Sequence, residues 1–429
     1  MSEKLWNINY LRAWGANFML FFSFMLVVPL LPIFLQESFG ASKEMIGLTL
    51  SGYTVVAMLT RATSGYVVDK YPRKQMLVLG YVFLTAFFAG YIIASSLMLF
   101  AAVRTLHGLP FGISTVANST VAVDVLPASR RAEGIGYYGL SNNVATAISP
   151  SIGLWMYQTW HDFDILFWCS MGVAFLGVLC VAGIKTGEEE HENNVPTKNK
   201  DSFETNPSDN SDKDQAIPAT ATSISKHKYR KRAADKVSMF FLLEGWALGL
   251  AMVCYAFAYG VVSTYVAIYG KEELGILGGS GVFFALLASG LFFSRLLGSR
   301  TLRRGKIMQN ATFGTCISCI GYLLFAAFHN EFGYFGCAIL LGLGNGHLWP
   351  AFQNMFIILG PASRRGVANA SLLTSWDLGV GLGILAGGSL IERFGYGTTF
   401  WVSWIVELSG VLFYMFYVRQ NYIRKTQRA

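Results

Sequence analysis

Among the ionisable side chains inside long apolar stretches are Arg104, His107, Asp377 and Glu407. A charged group left unpaired in hydrocarbon costs several kcal/mol, so each must be neutral, paired or turned to a cavity. Asp377 is the strongest candidate for proton binding, because a carboxylate there gains or loses charge with every proton. Glu407 is a second candidate, either functional or set at an outer wall. Arg104 either faces a cavity or reaches along its own helix to the membrane surface. His107, one turn further on, either titrates near neutral pH or is a packed, uncharged ring. Asn142 and Asn143 are the neutral polar residues that would share a cavity with Asp377.

The chain repeats itself. Pro127-Ala-Ser-Arg-Arg131 recurs as Pro361-Ala-Ser-Arg-Arg365, an offset of 234. The same offset takes Gly47 to Gly281, Arg61 to Arg295, Gly108 to Gly342, Gly112 to Gly346 and Ala117 to Ala351. Two related halves follow. Under this offset Asp377 falls on Asn143, which gives one titratable group at a symmetric pair of positions. Asp377 is therefore expected to be the main proton-coupling site, with Arg104 its electrostatic counterpart across the cavity. Arg61 is expected to pair with carbonyls or with Asp124. The paired glycines are expected to set close helix packing.

Of 429 residues, 53% are hydrophobic and only 14% charged, against about 25% charged in soluble domains. Apolar runs such as 76–93, 173–184 and 317–328 suit helices crossing a ~30 Å hydrocarbon layer. Twelve spans fit, near 11–35, 45–64, 75–96, 98–121, 134–157, 165–184, 239–268, 280–299, 307–328, 334–357, 367–390 and 398–418. The six cysteines lie in or beside these runs. Cys316-x-x-Cys319 has neither His nor another Cys pair beside it, and reads as small buried hydrophobes, not a redox or metal pair. No metal or cofactor is expected.

Lys70, Arg73, Lys74, Arg130, Arg131, Arg300, Arg303, Arg304, Lys306, Arg364 and Arg365 fall on one set of connections, and Lys43, Lys271 and Arg393 on the other. The richer set, with both termini, is expected to face the cytoplasm. The net charge of +8 then reflects topology and anionic lipid, and no nucleic-acid surface is implied. Polar residues crowd 185–236, which reads as a disordered cytoplasmic linker between bundles at 1–184 and 237–429.

Gly65-Tyr-Val-Val-Asp69-Lys70-Tyr-Pro-Arg73-Lys74 resembles the signature loop of the major facilitator superfamily. The resemblance implies a conformational latch in which Asp69 braces the start of the eleventh span near Val367. The second half keeps Gly298 and the basic residues but has no carboxylate matching Asp69. Arg104-Thr-Leu-His107-Gly108 resembles a second signature of that superfamily. Ala145-Thr-Ala-Ile-Ser149-Pro150-Ser-Ile-Gly153 is similar to a packing and bending element of its drug–proton antiporter branch, with Ala145 and Ser149 where glycine is usual.

The resemblance implies an all-α membrane protein of twelve helices in two pseudo-symmetric six-helix bundles. It also implies alternating access around a midplane site. Proton-coupled efflux of a small molecule by a monomer in the cytoplasmic membrane is the leading expectation. Uptake of a sugar, nucleoside or organic ion is the first alternative, and a transporter-like sensor or membrane enzyme the second. The chain shows no nucleophile elbow or phosphate loop, which argues against an enzyme.

Overall fold

The computed structural model describes residues 5–127, 130–185, 241–276, 279–303, 306–360 and 365–426. The expectation of a disordered linker at 185–236 falls, apart from Lys185, outside them. Every described element is helical: α1 (Ile8–Phe39, with a 3-10 turn at Val28–Leu30), α2 (Lys43–Lys70), α3 (Arg73–Ile93), α4 (Leu97–Asp124), α5 (Arg131–Trp160), α6 (Phe163–Ala182), α7 (Trp246–Glu272), α8 (Gly279–Arg303), α9 (Ile307–Ala327) and α10 (Glu331–Leu359). The run Arg365–Phe413 turns a corner at Gly395, which divides it into α11 (365–394) and α12 (396–413). A π-turn at Tyr414–Val418 and a short helix, Arg419–Thr426, complete the described residues. Seven of the described spans are long and apolar enough on their own to cross a membrane.

Local chemistry sets the ends. Ser96 Oγ accepts from Leu99 N and caps α4, and Asn330 Oδ1 accepts from Gly333 N and caps α10. These caps are 234 residues apart. Adding 234 to the starts of α3, α4 and α5 gives 307, 331 and 365, the starts of α9, α10 and α11. The left-handed residue after α5 is His161 (φ 52°), and its equivalent is Gly395 (φ 78°). The extended ψ of 172° at Gly395 gives a corner that an L side chain rarely adopts. The repeat is therefore written into helix lengths and turns as well as letters.

Small residues let the helices close. A Cβ on Gly108 would meet the Tyr53 carbonyl at 2.6 Å, and one on Gly342 the Leu287 carbonyl at 2.1 Å. Both place α4-type helices against α2-type helices. Gly153 is tighter: its Cβ would sit 2.0 Å from the Leu26 carbonyl, so α5 lies directly on α1. Ser149 Oγ donates to Ala145 O at 2.7 Å, closing its polar group onto its own helix where the two rods meet.

Two long helix pairs join the halves, and the end of α1 also packs on α7. Helix α2 packs along α11, and α5 along α8. The offset exchanges these pairs, so the second contact repeats the first across a pseudo-twofold axis.

At the end of the molecule opposite the start of α1, carboxylates and cations cross between halves. Lys43 Nζ sits 2.7 Å from Glu272, Lys271 pairs with Glu37, and Arg393 lies 3.5 Å from Glu44. Gln36 Nε2 donates to Glu272 at 2.5 Å, and the Lys43 amide donates to Glu392 at 2.8 Å. The three sparse cations of the sequence thus each meet a carboxylate of the other half. A half-exposed pair is worth about 0–1 kcal/mol, so closure of this face rests on the set. Glu272→Gln should raise the labelling rate of a single cysteine at position 151, beside the α5–α8 contact, about twofold to fivefold. An unchanged rate would mean these pairs do not hold the face shut.

Candidate functional site

The deepest ionic contact lies elsewhere. Arg61 on α2 forms a salt bridge with Asp377 on α11, and about 11% of each side chain remains accessible. Arg61 stands eighteen residues along α2, from 43 to 61, and Asp377 twelve along α11, from 365 to 377. At ~1.5 Å per residue both lie about 14–18 Å from the end where α1 begins, near mid-depth. Arg61 Nε also reaches Thr115 Oγ1 at 3.4 Å, and its guanidinium lies 5.4 Å from the Phe111 ring.

This pairing corrects two expectations. Asp377 does not meet Arg104, and Arg61 does not meet Asp124. Asp124 binds Arg73 at 2.8 Å, joining α3 to α4 inside the first half. Geometry explains the change: α2 and α11 are neighbours along their length, whereas Arg104 sits on α4, behind α2.

Arg104 is 3% exposed, buried rather than extended along its helix to a surface, and the salt bridge of Asp377 goes to Arg61 instead. Its guanidinium lies 4.3 Å from the Tyr53 ring and 4.7 Å from the Phe24 ring, which places it among aromatic faces. Arg104 Nη1 donates to Tyr91 Oη at 3.0 Å, and that hydroxyl lies 2.7 Å from His107 Nδ1. Arginine offers only donors, so the Tyr91 oxygen accepts from it and the Tyr91 hydrogen is free for Nδ1. His107 is enclosed by Phe24, Phe87, Phe88 and Tyr91. Of its two expected states, the packed ring describes it. Arg104, Tyr91 and His107 are one cluster that ties α1, α2, α3 and α4 together.

The remaining candidates separate. Asn142 accepts from Thr146 Oγ1 at 3.1 Å on its own helix, and Asn143 is half-buried at the symmetric counterpart of Asp377. Glu407 is 1% exposed, on α12 against α7 and α9. Gly65, Asp69 and Lys70 lie in the last turns of α2, and the latch expected of their side chains falls outside the described residues. Lys74 opens α3 beside Arg73.

Next to Asp377, Trp376 gathers an aromatic wall. Its ring lies 5.1 Å from Trp349, 5.0 Å from Tyr259 and 6.0 Å from Tyr255. Trp349 and Trp376 meet edge to face at 85°. Such an array of rings offers a flat apolar surface in the second half. Sequence reasoning missed Arg61 as the partner and Tyr91 altogether. A signal for the first was present: Arg61 and Asp377 repeat as Arg295 and Asn143 on the symmetric helix pair.

An all-helical, multi-pass protein with a duplicated helix set and an ion pair between its halves is a membrane transporter in architecture. The family described as Major Facilitator Superfamily matches residues 13–357 and 311–428, and the chain belongs to it. It is 22% identical over 396 residues to the staphylopine export protein of Staphylococcus aureus, covering 87% of this chain and 85% of that one. It is 23% identical over 429 residues to the multi-drug resistance efflux pump PmrA of Streptococcus pneumoniae, covering 96% of each. The crystal structure of the POT family transporter PepTSo superposes with a TM-score of 0.74 at 10% identity, covering 99% of both chains, a likeness of fold.

A double-mutant cycle measures the α2–α11 bridge. Arg61→Gln should lower stability by about 3 kcal/mol, at the low end for buried pairs because part of each side chain stays accessible. Adding Asp377→Asn should recover part of that loss. Thermal unfolding in detergent reads both. Strict additivity would show that the bridge contributes nothing.

Proposed function

We propose that the chain exports a small amphipathic molecule across the cytoplasmic membrane by alternating access, driven by protons entering through Asp377. The salt bridge between α2 and α11 carries this reading. A proton on Asp377 removes the charge that holds Arg61, and the two halves lose their deepest polar contact. Loss of the proton restores it. The ion pairs at the far face supply the opposing closure, so one proton site biases which end of the molecule opens. The direction of transport follows from the relatives, whose names are export protein and efflux pump.

Two bundles, 1–184 and 237–429, move against each other, with 185–236 as their cytoplasmic tether. The aromatic wall of Trp349, Trp376 and Tyr259 receives the cargo beside Asp377, and the protein works as a monomer without cofactor or catalytic step. The Lys and Arg asymmetry places both termini in the cytoplasm, and the face closed by Glu37, Lys43, Lys271 and Glu272 outside. Asp69 acts on conformation and not on cargo.

Proteoliposomes with an imposed pH gradient and a panel of drugs and metabolites test the coupling. Asp377→Asn should abolish accumulation against a gradient and preserve counterflow, which needs no net proton movement. Wild-type accumulation with unchanged pH dependence in this variant would place the proton elsewhere. For orientation, single cysteine reporters at Ser42 and Ser211 should be labelled on intact cells at 42 and protected at 211. The reverse pattern would invert the topology.

A further inference from the structure

A second carboxylate sits in the second half, away from the α2–α11 bridge. Glu407 lies eleven residues along α12, at mid-depth, and is 1% exposed. Neither of its carboxylate oxygens has a hydrogen-bond partner among the described residues. Donors nevertheless surround it. Tyr255 on α7 and Tyr322 on α9 lie within electrostatic reach of its charge, as do the thiols of Cys254 and Cys319. Cys337 of α10 and Tyr259 of α7 border the two tyrosines. The hydroxyls of Tyr255, Tyr322 and Ser318 and the indole N–H of Trp404 are also buried and unpartnered. Ser318 stands beside Tyr255 without reaching hydrogen-bond geometry. An acceptor and four donors lie buried in one region of the bundle and are not joined.

We propose that this chamber between α7, α9 and α12 is a second proton-binding site, in which Glu407 holds a proton in the conformation described here. An ionised carboxylate with no donor on either oxygen would be too costly in a bundle interior, whereas a neutral acid fits. A shift of α7 that brings the Tyr255 and Tyr322 hydroxyls onto the carboxylate would stabilise the ionised form and release the proton. Helix α7 is placed to make that shift. A Cβ on Gly410, one turn beyond Glu407, would lie 2.5 Å from the Cys254 Cβ, so α7 bears directly on α12. Tyr255 also joins two regions: its hydroxyl belongs to the chamber, and its ring stands 6.0 Å from Trp376, beside Asp377. Cargo against the aromatic wall would move the donor that Glu407 needs. The proposal rests on the proton-coupled reading only in taking the ion to be a proton.

Infrared difference spectroscopy of the purified full chain during a pH titration tests it, because a protonated carboxyl has its own carbonyl band. The wild type should lose two such bands as pH rises. Glu407→Gln should remove one and Asp377→Asn the other, so failure of either assignment is seen separately. Tyr255→Phe, which keeps Glu407 in place, should tighten proton binding at the Glu407 band about tenfold, the effect of losing one charge-assisted hydrogen bond. A band set unchanged by Glu407→Gln, or a Glu407 band unmoved by Tyr255→Phe, overturns the proposal. So does loss of that band on replacing potassium with sodium at constant pH, which would make the chamber a sodium site.

Discussion

Charge cannot stand alone in hydrocarbon, and this rule governs where the halves of this transporter meet. Arg61 and Asp377 are each tolerable at mid-depth because the other is there. Since they sit on helices from opposite halves, neutralising charge and joining the halves are one event. In the proposed cycle a proton on Asp377 would separate the two tasks, removing the negative charge and leaving Arg61 with Thr115 and the Phe111 ring beside it, while the apolar packing of α2 on α11 joins the halves. That packing is close but not interlocked by large side chains. Gly47, Gly381 and Gly388 keep the surfaces small, which suits helices that slide or part.

Within each half the same close approach recurs: Gly108 lies against the Tyr53 carbonyl, Gly342 against the Leu287 carbonyl and Gly153 against the Leu26 carbonyl. The Arg104–Tyr91–His107 cluster adds a polar lock across four helices of the first half. The difference between the two lies in the polar groups: a cluster inside the first half and a titratable ion pair at the seam, where a change of charge acts on how the halves meet.

Much of this was legible in the sequence. The helix set and the duplication followed from apolar runs and the offset of 234, because both are set by spacing along the chain. That Asp377 would need a partner or a proton followed from the cost of a carboxylate in an apolar run. Its partner did not. Arg104 and Arg61 are both arginines in spans of the first half, and only the packing of α2 against α11, with α4 behind, decides between them. The Tyr91 bridge was hidden for a related reason: a tyrosine in an apolar helix is usually core, and its hydroxyl matters only once α3 and α4 are side by side. The polar groups around Glu407 come from α7, α9 and α12, and no spacing rule reports that.

One contact at the far face has a history in it. Glu37 and Lys271 are 234 residues apart, so each is the other's counterpart, and they touch. A position that meets its own copy lies on the symmetry axis. In an assembly of two identical chains, the same residue would face itself there, and two glutamates or two lysines would repel. The attraction seen here requires the two positions to carry different residues. This part of the closed face therefore needs two halves that differ, a form of closure that a symmetric homodimer could not make.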